Sequence, residues 1–273
     1  MIRVNEFRRI DIEVQNAIRK AFEFGKANEK DENDYYLFLC NATYIENYEG
    51  TNVSPYVIDN RMDYLIDSHR LDFLTKYLKT YYSFSEFNTS DSKESLTMEM
   101  MMYTHIWESK NFLKQLIKLL DLCNGNEYRW SYEIPDAQNG DSKQLLIRDT
   151  IRDGFKAKSL EIADIMTSGY RSQFRNAFAH SDYSFGLNED KINLHNYKTD
   201  SYEVQSVGID EWTKFFCNSF LLNYHFQNIY YKERQKIEQP IKVYLRNSNG
   251  DKKKGIIKYD AERDAFSGNL TER

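Results

Sequence analysis

The chain has 273 residues, 41% of them hydrophobic, and a net charge of −5 at pH 7. This length suits one large domain or two small ones with a buried core, and three Pro with eleven Gly argue against a loop-rich all-β protein. An acidic chain has no global attraction for nucleic acid or anionic lipid, so a polyanion ligand would need a local basic patch.

Apolar residues Phe7, Ile10, Val14, Ala17, Ile18, Ala21 and Phe22 recur at three- and four-residue steps and predict a first helix ending near Gly25. A short helix is expected within residues 35–48. A second stripe runs from Ile58 to Tyr81, followed by a polar loop over 83–95. A third long helix is expected from Leu96 to Leu120, broken afterwards by Gly, Asn and Pro signals. A further stripe runs from Leu146 to Phe178, with kinks expected near Gly154 or Gly169. Two short β-like pieces follow, Tyr183–Phe185 and Lys191–Tyr197. After Gly208 a last helix begins, with Asp210 as N-cap and Trp212, Phe215, Phe216, Phe220 and Tyr224 on its apolar face. Beyond Pro240, two or three strands surround an Asn249-Gly250 turn. The expected fold is mainly α: a helical bundle over 1–238, with a short β-hairpin after residue 180 and a small β appendage over 239–273.

Cys40, Cys123 and Cys217 are far apart and odd in number. That excludes a disulfide framework and predicts a reducing, intracellular setting. The N-terminal MIRVNEFRRIDIEVQ lacks an apolar stretch of signal-peptide length, and no run is long enough to span a membrane. A soluble cytoplasmic protein with no membrane partner is expected.

The stretch RNAFAHSDY, Arg175 to Tyr183, closes the fourth stripe. With fifteen Arg and five His in the chain, an Arg followed by His at one fixed spacing arises by chance roughly 0.3 times. The force of the pattern lies in its context: a helix end, Asn176 directly after Arg175, and a turn after His180. An imidazole can take a proton from a ribose 2′-hydroxyl or give one to a leaving oxygen. A guanidinium can grip phosphate with two hydrogen bonds and stabilise developing charge. Five residues span about 140° of a regular helix, so Arg175 and His180 share no face of a straight helix. Either the helix ends or tightens before His180, or two molecules share the site.

This segment resembles the Arg-x(4–6)-His signature of the HEPN superfamily, α-helical domains many of which are metal-independent endoribonucleases. Arg175 and His180 match the family Arg and His, and Asn176 the polar residue that often follows the Arg. The likeness covers the motif and the helical plan over about residues 55–236, leaving the N-terminal extension 1–50 and the C-terminal strands unexplained. It implies catalysis by Arg175 and His180 supported by Asn176, a 2′,3′-cyclic phosphate product, and a homodimer with a composite site. It also implies a toxin or phage-defence role, with an antitoxin or defence-system partner protein. The alternative is a non-catalytic HEPN-like scaffold binding RNA, a nucleotide or a protein.

Residues 143–180 carry a local balance of +3 and residues 232–258 one of +6, whereas 1–60 carry −4. Arg171, Lys156 and Lys158 are therefore expected RNA contacts near the motif. The C-terminal lysines read either as an RNA-backbone track leading to the site or as a solvated surface protecting strand edges. His69 and His105 read as packing residues, and Met98, Met100, Met101 and Met102 as core filler. His195 and His225 have no acidic or Cys partner at metal-ligand spacing. No metal site, cofactor motif or Gly-rich phosphate loop is expected. Asp182 suits a turn, and Tyr183 stands close enough to assist the motif.

Overall fold

A computed structural model describes residues 2–45, 54–59, 61–81, 93–134, 142–186, 190–197, 204–247 and 249–270. The chain is mainly helical. In order, α1 (Val4–Ala27) and α2 (Asp34–Leu39) lead to the paired β1 (Thr43–Tyr44) and β2 (Tyr56–Val57), then α3 (Arg61–Tyr81), α4 (Lys93–Glu108) and α5 (Lys110–Cys123). A broken helical run follows: α6 (Ser142–Leu145), a π-helical segment Leu146–Arg152, α7 (Asp153–Ala157), α8 (Ile162–Gly169) and α9 (Ser172–His180). The antiparallel strands β3 (Tyr183–Phe185), β4 (Lys191–Leu194) and β5 (Ser206–Gly208) form one sheet. The long α10 (Ile209–Gln235) then leads into a second antiparallel sheet, β6 (Ile241–Arg246), β7 (Lys252–Asp260) and β8 (Ala265–Leu270).

The molecule is organised around α10. Trp212, Phe216, Phe220, Leu221, Leu222 and Phe226 are all buried, and a helix apolar on several faces belongs in a core. It packs against α1, α8, α4, α3 and α2. Several of its buried polar groups find partners, as burial demands, although Asn223 Oδ1, Gln227 Oε1 and Arg234 Nε have none. Trp107 Nε1 donates to Ser219 Oγ at 2.9 Å, Gln227 Nε2 to Gln115 Oε1 at 2.8 Å, and Trp212 Nε1 to Glu99 Oε2 at 2.9 Å. Ser219 also donates to the Gly169 carbonyl. A Cβ at Gly169 would lie 2.9 Å from the Ser219 backbone nitrogen, so glycine there permits the close approach of α8 to α10.

The C-terminal sheet buries Val243, Leu245, Ile257 and Phe266 in the same core as the helices, beside α2 and the C-terminal end of α10. Arg234 joins these parts. Its Nη2 lies 3.2 and 3.1 Å from the two Asp59 carboxylate oxygens, and its Nη1 donates to the Leu39 carbonyl at 3.1 Å. Asp59 in turn accepts the Phe266 backbone N–H at 2.7 Å. Cys40, Cys123 and Cys217 are buried and form no disulfide with one another; Cys40 caps α2, Cys123 ends α5 and Cys217 lies within α10.

Several expectations change. The expected helix 96–120 is two helices, because Ser109 has extended backbone angles and its hydroxyl accepts the Phe112 N–H at 3.2 Å as an N-cap. The stripe 146–178 is broken into short pieces rather than kinked once, with turns at Lys158–Leu160 and Tyr170–Arg171. Gly208, not Asp210, is the N-cap of α10, and Asp210 and Glu211 sit in the first turn, where acids favour the helix dipole. Strand β5 was not expected. The Asn249-Gly250 turn does lie between β6 and β7, with Gly250 at φ 85°. Residues 46–48 of the expected short helix and most of the polar loop over 83–95 lie outside the described residues.

Candidate active site

Helix α9 is held from both ends. Tyr103, fully buried on α4, accepts the Arg171 N–H at 2.8 Å and so fixes the residue preceding the helix. Along the inner face Phe174, Ala177 and Phe178 are buried, and the Phe178 ring meets Trp212 edge-on at 4.8 Å. Gln173 ties the helix to the strand region by two bonds to the Val204 backbone, at 2.8 and 3.0 Å. At the far end Ser181 takes a left-handed conformation, φ 60°, and Asp182 N–H returns to the Ala177 carbonyl at 2.8 Å, a Schellman-type closure.

The helix therefore runs regularly through both Arg175 and His180. The spacing of five residues leaves them about 140° apart on it. Neither an early end nor a tightened turn brings them onto one face within a single chain. His180 is exposed and makes no side-chain hydrogen bond among the described residues. Asn176 is half-buried.

Arg175 points into a cluster of charges. Its side chain is 11% exposed and its Nη1 bonds Glu108 Oε1 at the C-terminal end of α4. The other Glu108 oxygen is bonded by Lys143 of α6, 13% exposed, while Glu108 itself is 36% exposed. Two cations thus share one carboxylate, and the acid is the member most open to solvent. Burial by itself would raise the Glu108 carboxyl, but the bonds from Lys143 and Arg175 outweigh it and hold it below the usual range. Arg175 Nε and the Tyr170 hydroxyl are both buried without a hydrogen-bond partner. Burial pushes the Tyr170 hydroxyl up to about 12, with the nearby Arg175 charge opposing. The cluster has the chemistry to seat an anion: donors around Glu108 outnumber the bonds it accepts, and two cations against one carboxylate leave a positive balance.

The other expected contacts are dispersed. The Arg171 guanidinium lies over the Phe174 ring at 5.5 Å, next to the motif. Lys156 is exposed on α7, and Lys158 follows that helix. α7 packs against the C-terminal part of α5, where a Cβ at Gly154 would meet Leu120, whereas Glu108 precedes the N-terminal end of α5. The length of that helix, about 20 Å, separates Lys158 from the Arg175 cluster. Sequence reasoning counted Lys143 only within a charge balance and passed over Glu108 and Tyr170. No local pattern marks a carboxylate 67 residues from its partner.

Other histidines also move from their expected roles. His69 and His105 are exposed, and with Phe73, Met98 and Met101 they line an open groove of about 470 Å³ between α3 and α4. Met100 and Met102 are core residues, but Met101 is 68% exposed. His225 Nε2 lies 2.7 Å from Asp11 Oδ1 of α1. His195 pairs with Ser184 Oγ at 2.9 Å across β3 and β4. Among the described residues no group of three or more His, Cys, Asp or Glu could hold a metal ion, and no helix is long and apolar enough to cross a membrane. No family model, curated protein or solved structure matches the chain.

Proposed function

We propose that the chain is a metal-independent endoribonuclease of HEPN type that works as a homodimer, in a toxin or phage-defence role. The reading rests on one observation: His180 stands exposed and unpartnered at the end of α9, one helical turn and a half beyond an arginine set in a two-cation cluster. In the proposed reaction the 2′-oxygen attacks the adjacent phosphorus, the 5′-oxygen leaves, and a 2′,3′-cyclic phosphate forms. His180 moves a proton at one of these oxygens. Arg175 stabilises the charge gathering on the phosphoryl oxygens, and Asn176 hydrogen-bonds ribose or phosphate. A second α9 facing the first would pair the Arg175 of each chain with the His180 of the other, which answers the 140° offset. Substrate phosphate would displace the Glu108 carboxylate from Arg175 and Lys143.

Purified protein is expected to cut RNA in the presence of EDTA, leaving cyclic phosphate ends. His180→Ala should abolish cleavage without unfolding the chain, because the side chain is exposed. Mixing Arg175→Ala with His180→Ala protein should restore part of the activity if the site is shared. Cleavage that persists in His180→Ala sinks the proposal. The burial of Arg175 against Glu108 favours a second reading, a non-catalytic HEPN-like scaffold that binds RNA, a nucleotide or a protein. Equal RNA affinity of native and His180→Ala protein, with no cleavage by either, would select it.

A further inference from the structure

The C-terminal sheet has two unlike faces. Val243, Leu245, Ile257 and Phe266 point into the core. The opposite face follows from the pairing register. Tyr244 sits across from Lys254, Lys242 across from Ile256 and then Asn269, and Lys258 across from Ser267. Directly paired residues of an antiparallel sheet point to the same side, with about 4.8 Å between strands and about 7 Å between successive same-face residues. Lys242, Lys254, Lys258, Ser267 and Asn269 are exposed, and Tyr244 is 36% exposed. Lys242 and Lys258 make no ion pair among the described residues, in a chain of net charge −5. Acids at the two ends of this face are engaged by other cations. Asp31 and Glu127 hold Arg246 and Lys252, and Asp260 faces Arg263. Lys252 Nζ also lies 5.6 Å from the Tyr244 ring, as a cation over an aromatic face. Three rows result, with lysine in each and an exposed aromatic ring in the first.

We propose that this outer face of the β6–β7–β8 sheet binds single-stranded nucleic acid, with phosphates on Lys242, Lys254 and Lys258 and a base stacked on Tyr244. Lysines at regular strand spacing suit a backbone that can extend along them, and a ring flanked by cations suits an unstacked base. A duplex offers no free base faces to Tyr244. A membrane surface would call for apolar residues at the hairpin tip, where this chain has Asn247, Asn249, Gly250 and Asp251. The surface is separate from the α9 motif. Phe178 packs on Trp212 near the start of α10, and the sheet meets Arg234 near its end. Those two residues are 22 positions apart on one helix, about 33 Å. The inference therefore stands whether or not the chain cleaves RNA.

The test is fluorescence anisotropy of the full chain in EDTA with an unstructured, fluorescein-labelled 2′-O-methyl oligonucleotide of about 12 residues, a length within known site sizes. The missing 2′-hydroxyl prevents cleavage. Reversing Lys242, Lys254 and Lys258 to Glu should weaken binding at least about tenfold, and the slope of log affinity against log salt should flatten by about 2. Tyr244→Ala should weaken binding about fivefold or more without changing that slope. A Lys→Gln triple, confirmed folded by circular dichroism, guards against misfolding of the charge-reversed chain. Unchanged affinity in the triple variants overturns the inference. So does binding to phosphatidylserine vesicles or polyglutamate as tight as binding to the oligonucleotide. Loss of cleavage in His180→Ala with oligonucleotide binding intact leaves the inference standing and bears only on the nuclease site.

Discussion

Arg234 and Arg175 are both largely buried, at opposite ends of the molecule, and they are used differently. Arg234 is 2% exposed and has a carboxylate to itself: both Asp59 oxygens face it, a backbone carbonyl takes Nη1, and Asp264 lies 3.8 Å from its Nε. The Phe266 ring covers it at 4.9 Å. Arg175 shares the single carboxylate of Glu108 with Lys143 and faces an acid open to solvent, while the Nε of each guanidinium is buried without a hydrogen-bond partner. A guanidinium enclosed by its own counter-ion is a structural joint. A guanidinium whose counter-ion is shared and exposed can exchange it for another anion.

That contrast can be broken in four places. Asp59→Ala leaves Arg234 charged and buried without its partner and should destabilise the fold by about 3–5 kcal/mol, read by urea unfolding. A loss below about 1 kcal/mol would show that Arg234 is not the joint described. Glu108→Gln should change stability by no more than about 1 kcal/mol, since the pair is partly solvated, yet raise affinity for RNA several-fold by vacating the anion seat. Weaker RNA binding in that variant would mean that Glu108 orients Arg175 instead.

Acid titration separates the two ends further. Burial raises the Asp34 carboxyl to about 6, against the Tyr128 and Asp31 N–H groups that favour its charge. The folded chain then holds a proton that the unfolded chain releases near 3.8, so this group's contribution to stability falls as pH rises from about 4 to about 6. Glu108 has the opposite sign. Its carboxyl is held low, so its contribution is present above the ordinary carboxylate range and is lost as pH falls through it. Asp34→Asn should gain melting temperature relative to the native chain as pH rises from about 4 to about 6; a constant difference would refute the assignment. The smallest effect is expected at Lys20–Glu161, an ion pair at 2.7 Å with both side chains more than half exposed. Lys20→Ala should stay within about 0.5 kcal/mol of the native chain.

Helices with a complete apolar stripe were legible from sequence. The Ile10 to Phe22 spacing marks α1, and the aromatic run from Trp212 marks α10. The division at Ser109 was not seen because the apolar phase of Ile106 and Trp107 runs on into Leu113, although a Ser at that place is a readable cap signal. The run after Leu146 misled for a related reason: buried residues keep helical spacing across short pieces joined by turns. At the candidate site, Arg175, Asn176 and His180 are visible as a local string. Glu108 and Tyr170 are not, because their relation to Arg175 exists only once α4, α8 and α9 have packed.

The three enclosed cysteines offer a kinetic window on these same regions. Cys40 and Cys123 are shut from solvent and burial pushes their thiols up to about 12, so neither presents a thiolate to an alkylating reagent while the fold is closed. Modification must wait for an opening event, and its rate reports how often that event occurs. In variants that each keep one cysteine, Cys40 would time the loosening of α2, Cys123 the end of α5, and Cys217 the middle of α10. The chain carries three internal clocks, and the spread of their rates would tell whether it opens as one body or from an edge.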